Sequence, residues 1–313
     1  MQEKLADYAM GGPIDIRDGA VLEIGRPYLI PLSESLQLPA EVRARTNPKS
    51  STGRLDVFTR VITDGGHYFD DVAYGYSGNL YLEVFSRSFT IRVQQGLSLN
   101  QLRLLGAGAE TGDDELRALQ QSDPLLFDDS GPIPLERVTF ASGLLLSVDL
   151  SGENSLAYRA RKNSKLLDLA VEGFYDDSDF WEAEHPTGTP GRLILEPEEF
   201  YLLVSRERVR VPPDYAAEMV AYDPTSGELR THYAGFFDPG FGDLKGNARQ
   251  GSRAVLEVRA HDVPFVIEDG QKVFKLAFQR LSERPDLLYG DQIGSHYQGQ
   301  ELSLSKQFRP PGD

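Results

Sequence analysis

Four stretches of this chain carry side chains able to do chemistry. The first, Asn47-Pro48-Lys49-Ser50-Ser51-Thr52-Gly53-Arg54, gathers two cations, three hydroxyls and a glycine between two apolar, strand-like runs. Such a segment suits an oxyanion: hydroxyls and backbone N–H groups donate, Lys49 and Arg54 bring charge, and Gly53 lets the backbone turn or approach closely. The same composition also describes a plain polar turn between strands. The second stretch runs from Thr231 through Ala234, Phe236, Phe237, Asp238, Pro239 and Gly240 to Gly242. Asp-Pro-Gly alone is a turn signal; with aromatic residues on one side and a carboxylate at its start, it can also hold a flat base and a sugar hydroxyl.

The third is Glu257, inside the apolar run Ala254-Val255-Leu256-Glu257-Val258. A buried carboxylate costs on the order of several kcal/mol unless it is paired or protonated. Glu257 therefore either faces solvent on the alternate side of a half-exposed strand or lines a pocket with a shifted pKa. Glu83, in Leu82-Glu83-Val84, occupies a similar setting and adds a third option, a structural pair with an arginine. The fourth stretch is the tail from Tyr289 to Lys306, polar, aromatic and poor in apolar periodicity. It reads as a disordered tail or as a flap over a ligand, and not as a core element. The histidines at 67, 185, 232, 261 and 296 show no metal-ligand spacing and read as surface or turn residues.

The elements that position these residues are mostly short strands. Residues 21–38, 57–62, 79–85, 89–93 and 97–105 read as β-runs divided by turns, with Ile14-Asp15-Ile16 as a candidate edge strand. That pattern indicates an all-β barrel or sandwich. Residues 106–132 are acidic and small, with a helix expected from Thr111, as N-cap, to Gln121. Strand-like runs resume from Val138 to about Leu281, with 176–189, which holds Trp181, expected to be a loop insertion.

The runs repeat. Val21-Leu22-Glu23…Tyr28-Leu29 returns as Ile194-Leu195-Glu196…Tyr201-Leu202, shifted by 173. Leu38-Pro39 returns as Val211-Pro212, Leu82-Glu83-Val84 as Leu256-Glu257-Val258, and Asn47-Pro48…Arg54 as Asp223-Pro224…Arg230. Anchors with nearly one offset mark a tandem duplication of one β-domain, and a period this long means two similar domains rather than a solenoid. The expected division is 1–110 for a first copy that starts late, 111–132 for an acidic linker and 133–313 for the second copy.

Composition narrows the function classes. A formal charge of −16 excludes a general nucleic-acid surface, and the absence of cysteine excludes disulfides, thiolate chemistry and Cys-ligated zinc. No apolar run approaches membrane-spanning length and no signal-peptide core is apparent, so the expected location is the cytoplasm.

Together these motifs resemble the dUTPase/dCTP deaminase superfamily, and within it the double-copy bacterial dCTP deaminases. The family's phosphate motif, a Gly or Pro, a basic residue, two serines, two free positions and an arginine, is met by Pro48-Lys49-Ser50-Ser51-Thr52-Gly53-Arg54. Its deaminase hairpin and following strand are met by Ala234, Asp238-Pro239-Gly240-Phe241 and Val255-Leu256-Glu257. Its tail spacing is met by Tyr289, His296, Tyr297 and Gln300, with His in place of the usual lysine. Copy one lacks the Asp-Pro-Gly hairpin, and the phosphate motif of copy two has lost its Lys and gained Glu228. The resemblance thus joins the phosphate arm of copy one to the hairpin, Glu257 and tail of copy two.

The resemblance implies a distorted, jelly-roll-like β-barrel in each copy and a metal-independent hydrolytic deaminase taking dCTP to dUTP and ammonia. It implies Glu257 as general base with a raised pKa, Ser50 and Arg54 placing water, and Asp238 on the deoxyribose 3′-hydroxyl. Backbone groups of Ala234 and Val255 would read the base, and Lys49, Ser51, Tyr289, His296, Tyr297 and Gln300 would bind substrate. Magnesium is expected only on the substrate triphosphate, with no zinc. Expected partners are dCTP and dUTP, with dTTP a further candidate, in a homo-oligomer without nucleic acid or membrane. The alternatives are a dUTPase or bifunctional enzyme using Asp238 for water activation, and a non-catalytic nucleotide sensor.

Overall fold

The structure is a computed structural model and describes residues 7, 9–151, 157–188, 190–220, 229–231, 235–244, 250–260, 262–290 and 297–310. It is an all-β fold with two α-helical segments, Ser50–Gly53 and Asp113–Ser122, among the described residues. Period-two burial is plain in Val57–Thr63, where every second residue is buried. Ser252–Ala260 is buried almost throughout because it is a central strand, paired with Phe200–Val209 and with Leu229–Thr231.

The chain forms two compact units. The first comprises Met1–Gly108, Arg161–Phe180 and Ser305–Asp313; the second comprises Ala109–Ala160 and Trp181–Leu304. In the first unit Ser77–Ser86 lies between Pro27–Gln37 and Val57–Thr63, and Arg43–Pro48 lies between Asp71–Val72 and Asn100–Leu105. Residues 161–180 and 305–310, read from sequence as part of the second copy, belong to this unit. Leu167–Asp168 adds parallel to Ile91–Val93, and Phe308 joins Tyr175 and Phe180 in a cluster of edge-to-face rings.

The duplication is written into the hydrogen bonding of each unit. Glu23 N–H donates to the Tyr28 hydroxyl at 3.0 Å, and Glu196 N–H donates to the Tyr201 hydroxyl at 3.0 Å. Leu29 stands opposite Glu83 as Leu202 stands opposite Glu257. Val21 pairs Arg92 as Ile194 pairs Val266. Leu38 N–H reaches the Tyr76 carbonyl at 2.8 Å, and Val211 N–H reaches that of Phe241 at 2.8 Å.

Three local expectations change. Ile14-Asp15-Ile16 is no strand: Asp15 accepts from Arg17, and the Ile16 carbonyl takes the N–H groups of Gly19 and Gln95. The helix is Asp113–Ser122 with Gly112, not Thr111, at its N-cap, and Asp113 turns its carboxylate to the Ser142 and Gly143 N–H groups. Trp181 is not in a loop. It opens the strand Trp181–Glu184, pairs across from Ala160 and is buried against Tyr158 and Phe200. Residues 111–132 also hold Leu126–Asp128, which pairs with Phe200–Val209 of the second unit.

Candidate active site

In the first unit, Arg43–Pro48 ends at a proline and Ser50–Gly53 forms a single helical turn. The Lys49 N–H reaches the Leu99 carbonyl at 3.0 Å, those of Thr52 and Gly53 reach the Lys49 carbonyl, and that of Arg54 reaches Ser50 at 3.0 Å. Gly53 is therefore a buried helical residue without left-handed φ, contrary to the turn role read from sequence. The left-handed position is Asp56 at φ 56°, whose carboxylate accepts from Ser88 at 2.5 Å. Lys49 and Ser50 are half-buried, while Ser51 and Arg54 are buried. Ser305, from the tail, donates to the Ser51 carbonyl at 2.6 Å.

In the second unit, strand alternation sorts the residues around Glu257. Ala254, Leu256, Val258 and Ala260 belong to the hydrophobic core; Val255, Glu257 and Arg259 project to the opposite face. Glu257 is nonetheless only 8% exposed. It is therefore not a plain solvent-facing carboxylate, and a covered carboxylate on the non-core face of a central strand has the setting of a functional group.

The hairpin supplies Asp238, which is exposed. Its carbonyl accepts from Phe241 N–H at 3.0 Å, and Gly240 takes φ 92°, open to glycine alone without strain. Gly242, at φ 71°, lies so close to the neighbouring strand that a Cβ would stand 2.0 Å from the Val209 carbonyl oxygen. Phe237 and Phe241 pack edge to face at 5.0 Å within the hydrophobic core, so these two rings support the hairpin instead of offering a face to a base. Tyr289 lies on the hairpin, its N–H on the Pro239 carbonyl at 2.9 Å and its ring 5.8 Å from Phe241.

The tail is tied to the same elements. Gln300 is buried, contrary to a tail with no interior role; its amide donates to the Arg253 carbonyl at 2.9 Å. Arg253 lies at the start of the strand that carries Glu257. Glu301 pairs with Arg208 and lies 2.8 Å from Arg253 Nε. Tyr297 is half-buried. Ala234 and His296 lie outside the described residues. Sequence reasoning passed over Gln298, Glu301, Arg208 and Arg253. Glutamine between Tyr297 and Gln300 was the available signal for the first; the charges had none.

Copy one answers the third reading of the carboxylate position. Glu83 is held by Arg60 at 2.5 Å, and the guanidinium stacks over Phe69 at 4.2 Å and Phe58 at 5.0 Å. Matching Ala44 opposite Val72 to Ala217 opposite Phe237 puts Ala73 at the place of Asp238, so copy one lacks the hairpin carboxylate. Nearby, Asp70 accepts from the Thr46 hydroxyl at 2.7 Å and from Val61 N–H at 2.8 Å, both on Oδ1. Burial pushes its carboxyl above the ordinary range, despite these donors and Arg60. The folded state thus disfavours the charged form: the contribution is fullest below the unfolded carboxyl range and is lost as pH rises through the folded value. An amide keeps the Oδ1 acceptor without charge and tolerates the φ of 60°. Asp70→Asn is expected to raise the melting temperature at neutral pH, with the gain shrinking on acidification. A lower melting temperature at neutral pH would show that the carboxylate is needed charged.

A duplicated, all-β strand arrangement of this kind is that of the dUTPase-like class. Residues 1–108 match the family described as 2'-deoxycytidine 5'-triphosphate deaminase (DCD) N-terminal domain, and residues 112–308 match the corresponding C-terminal domain. The chain belongs to the dCTP deaminase family. It is similar to the crystal structure of 2'-deoxycytidine 5'-triphosphate deaminase from Agrobacterium tumefaciens, with 45% identity and a TM-score of 0.82 over 91% of this chain and 82% of that one. A dUMP-forming dCTP deaminase from Nocardioides sp. is 30% identical over 58% of this chain and 90% of its own length. Another, from Halobacterium salinarum, is 32% identical over 43% of this chain and 66% of its own length. Among the described residues no helix is long and apolar enough to cross a membrane, and no three His, Cys, Asp or Glu side chains group to hold a metal.

Proposed function

We propose that this protein hydrolyses dCTP to dUTP and ammonia, with Glu257 as the general base. The observation that carries the reading is Glu257 itself: a carboxylate covered on the non-core face of a central strand, in a member of the dCTP deaminase family. Glu257 takes a proton from water as the oxygen attacks C4 of cytosine. It delivers that proton to N3, then takes the proton of the new C4 hydroxyl and passes it to the exocyclic nitrogen, so that the C4–N bond breaks, ammonia leaves and C4 keeps a carbonyl oxygen. Ser50 and Arg54 place the water and stabilise charge, and Asp238 accepts from the deoxyribose 3′-hydroxyl. Backbone groups at Ala234 and Val255 read the base edge, Lys49, Ser51, Tyr289 and Gln300 clamp the triphosphate, and His296 and Tyr297 are further substrate-binding residues. The nucleotide enters as its Mg²⁺ complex, the ion held on phosphate oxygens. A cytoplasmic homo-oligomer, with dTTP as a second nucleotide ligand, completes this reading.

The names of the Nocardioides and Halobacterium relatives favour a second reading, in which dUTP is carried on to dUMP. Incubation with dCTP or dUTP and Mg²⁺, following ammonia and pyrophosphate separately, distinguishes the two. Ammonia from dCTP without pyrophosphate is the expected result. Pyrophosphate from either nucleotide supports the second reading, and neither product from either nucleotide overturns both.

A further inference from the structure

We infer that Gln298 is a positioning residue that fixes the Asp238 hairpin to the tail and thereby sets selection for a 2′-deoxy sugar. The inference rests on the dCTP deaminase reading above. The Gln298 amide meets the hairpin through both its ends: Oε1 accepts from Gly242 N–H at 3.0 Å, and Nε2 donates to the carbonyls of Gly240 at 3.1 Å and Asp243 at 3.3 Å. Two acceptors and one donor on the hairpin fix which end of the amide is which, since a flipped amide would put NH₂ against N–H and oxygen against two carbonyls. Gly290, the residue after Tyr289, lies against the same side chain, so close that a Cβ there would stand 2.7 Å from Nε2. The next residue, Gly299, donates its N–H to Ser252 at 2.8 Å, at the start of the strand that holds Glu257.

One side chain therefore ties the turn behind Asp238 to the stretches that carry Tyr289 and Gln300. Gly240 and Gly242 both sit at positive φ, so the turn has no side chains of its own there to hold it. Backbone bonds to Val211, Gly251 and Tyr289 hold the hairpin in place. The Gln298 tether adds the restraint that keeps Asp238 at one distance from the sugar, and without it the turn loosens enough to admit a 2′-hydroxyl. Small displacements of this kind are felt in rate and in selectivity.

The test compares Gln298→Met, which keeps length and removes all three bonds, with Gln298→Glu, which keeps the Gly242 bond and sets a charge against two carbonyls. Ammonia release gives kcat and KM on dCTP and on CTP, and hydrogen exchange follows the Gly240–Asp243 amides. Gln298→Met is expected to lower kcat/KM on dCTP about tenfold, mostly through KM, with CTP affected less, so that the dCTP-to-CTP preference falls. Gln298→Glu is expected to lose more, and exchange at the hairpin should speed up in both. Equal losses on the two nucleotides, or no change in either, overturn the inference. If Gln298→Met does not fold, Gln298→Glu carries the same comparison. If the unaltered protein releases no ammonia from dCTP, the functional reading has failed by itself; unchanged hairpin exchange in the variants would then overturn the tether as well.

Discussion

Replacing Glu257 by glutamine is expected to cut ammonia release from dCTP by about a thousandfold while dCTP still binds. Glutamine fills the same volume and keeps an acceptor, but it cannot take the proton of the attacking water. The loss should therefore fall on kcat, with the dissociation constant for dCTP, measured by calorimetry, changed little. The internal control is Glu83→Gln. Glu83 stands opposite Leu29 as Glu257 stands opposite Leu202, yet its carboxylate is committed to Arg60. The pair is partly exposed, so its loss should cost no more than about 1 kcal/mol of stability and leave ammonia release intact. Near wild-type turnover in Glu257→Gln would place the base elsewhere. An equal loss of turnover in Glu83→Gln would mean that copy one holds chemistry of its own.

The contrast between those two glutamates also shows what a sequence discloses here. Their common place in the repeat is legible, because Leu-Glu-Val returns at a constant offset. The partner of Glu83 is not, because Arg60 reaches it from a neighbouring strand. Alternation of type is legible in Ser252–Ala260, where Ala254, Leu256, Val258 and Ala260 turn to the core, but burial of the other face is not, because both edges are paired and nearly every residue is covered. In Val57–Thr63 the alternation shows only in the burial. Which way Glu257 points follows only from the register and the core. The helical turn Ser50–Gly53 has no strong local signal: four residues cannot nucleate a helix unaided, and contacts to Leu99 and Ser305 hold it. Trp181 looked like loop because its flanks are acidic and polar; its burial comes from Tyr158 and Phe200, distant in sequence. The tail defeated hydrophobic patterning for a related reason. Gln298 and Gln300 are held by hydrogen bonds to backbone carbonyls and N–H groups, which every residue possesses and no composition reveals.

Arg54→Ala is expected to lower kcat/KM on dCTP by about a hundredfold, the loss typical of removing a donor from developing charge, whereas Arg230→Ala should change it by less than about threefold. The two arginines occupy matching places in the repeat, but their sequence settings differ. Arg54 closes a motif with Lys49, Ser50 and Ser51, while Arg230 follows Glu228 in a motif without lysine, where an acid repels a triphosphate. Arg54 is 4% exposed and its N–H closes the Ser50–Gly53 turn, so the alanine variant also loses packing. Two further measurements separate packing from charge. Arg54→Lys keeps the charge but not the planar fork; if the fork matters it should recover little of the lost rate even where it recovers the melting temperature. Lys49→Ala, at a half-buried position, should raise KM and weaken its dependence on salt without lowering the melting temperature. Equal losses in Arg54→Ala and Arg230→Ala would mean that both copies supply phosphate arms, and that the decay seen in the second motif is one of sequence and not of function.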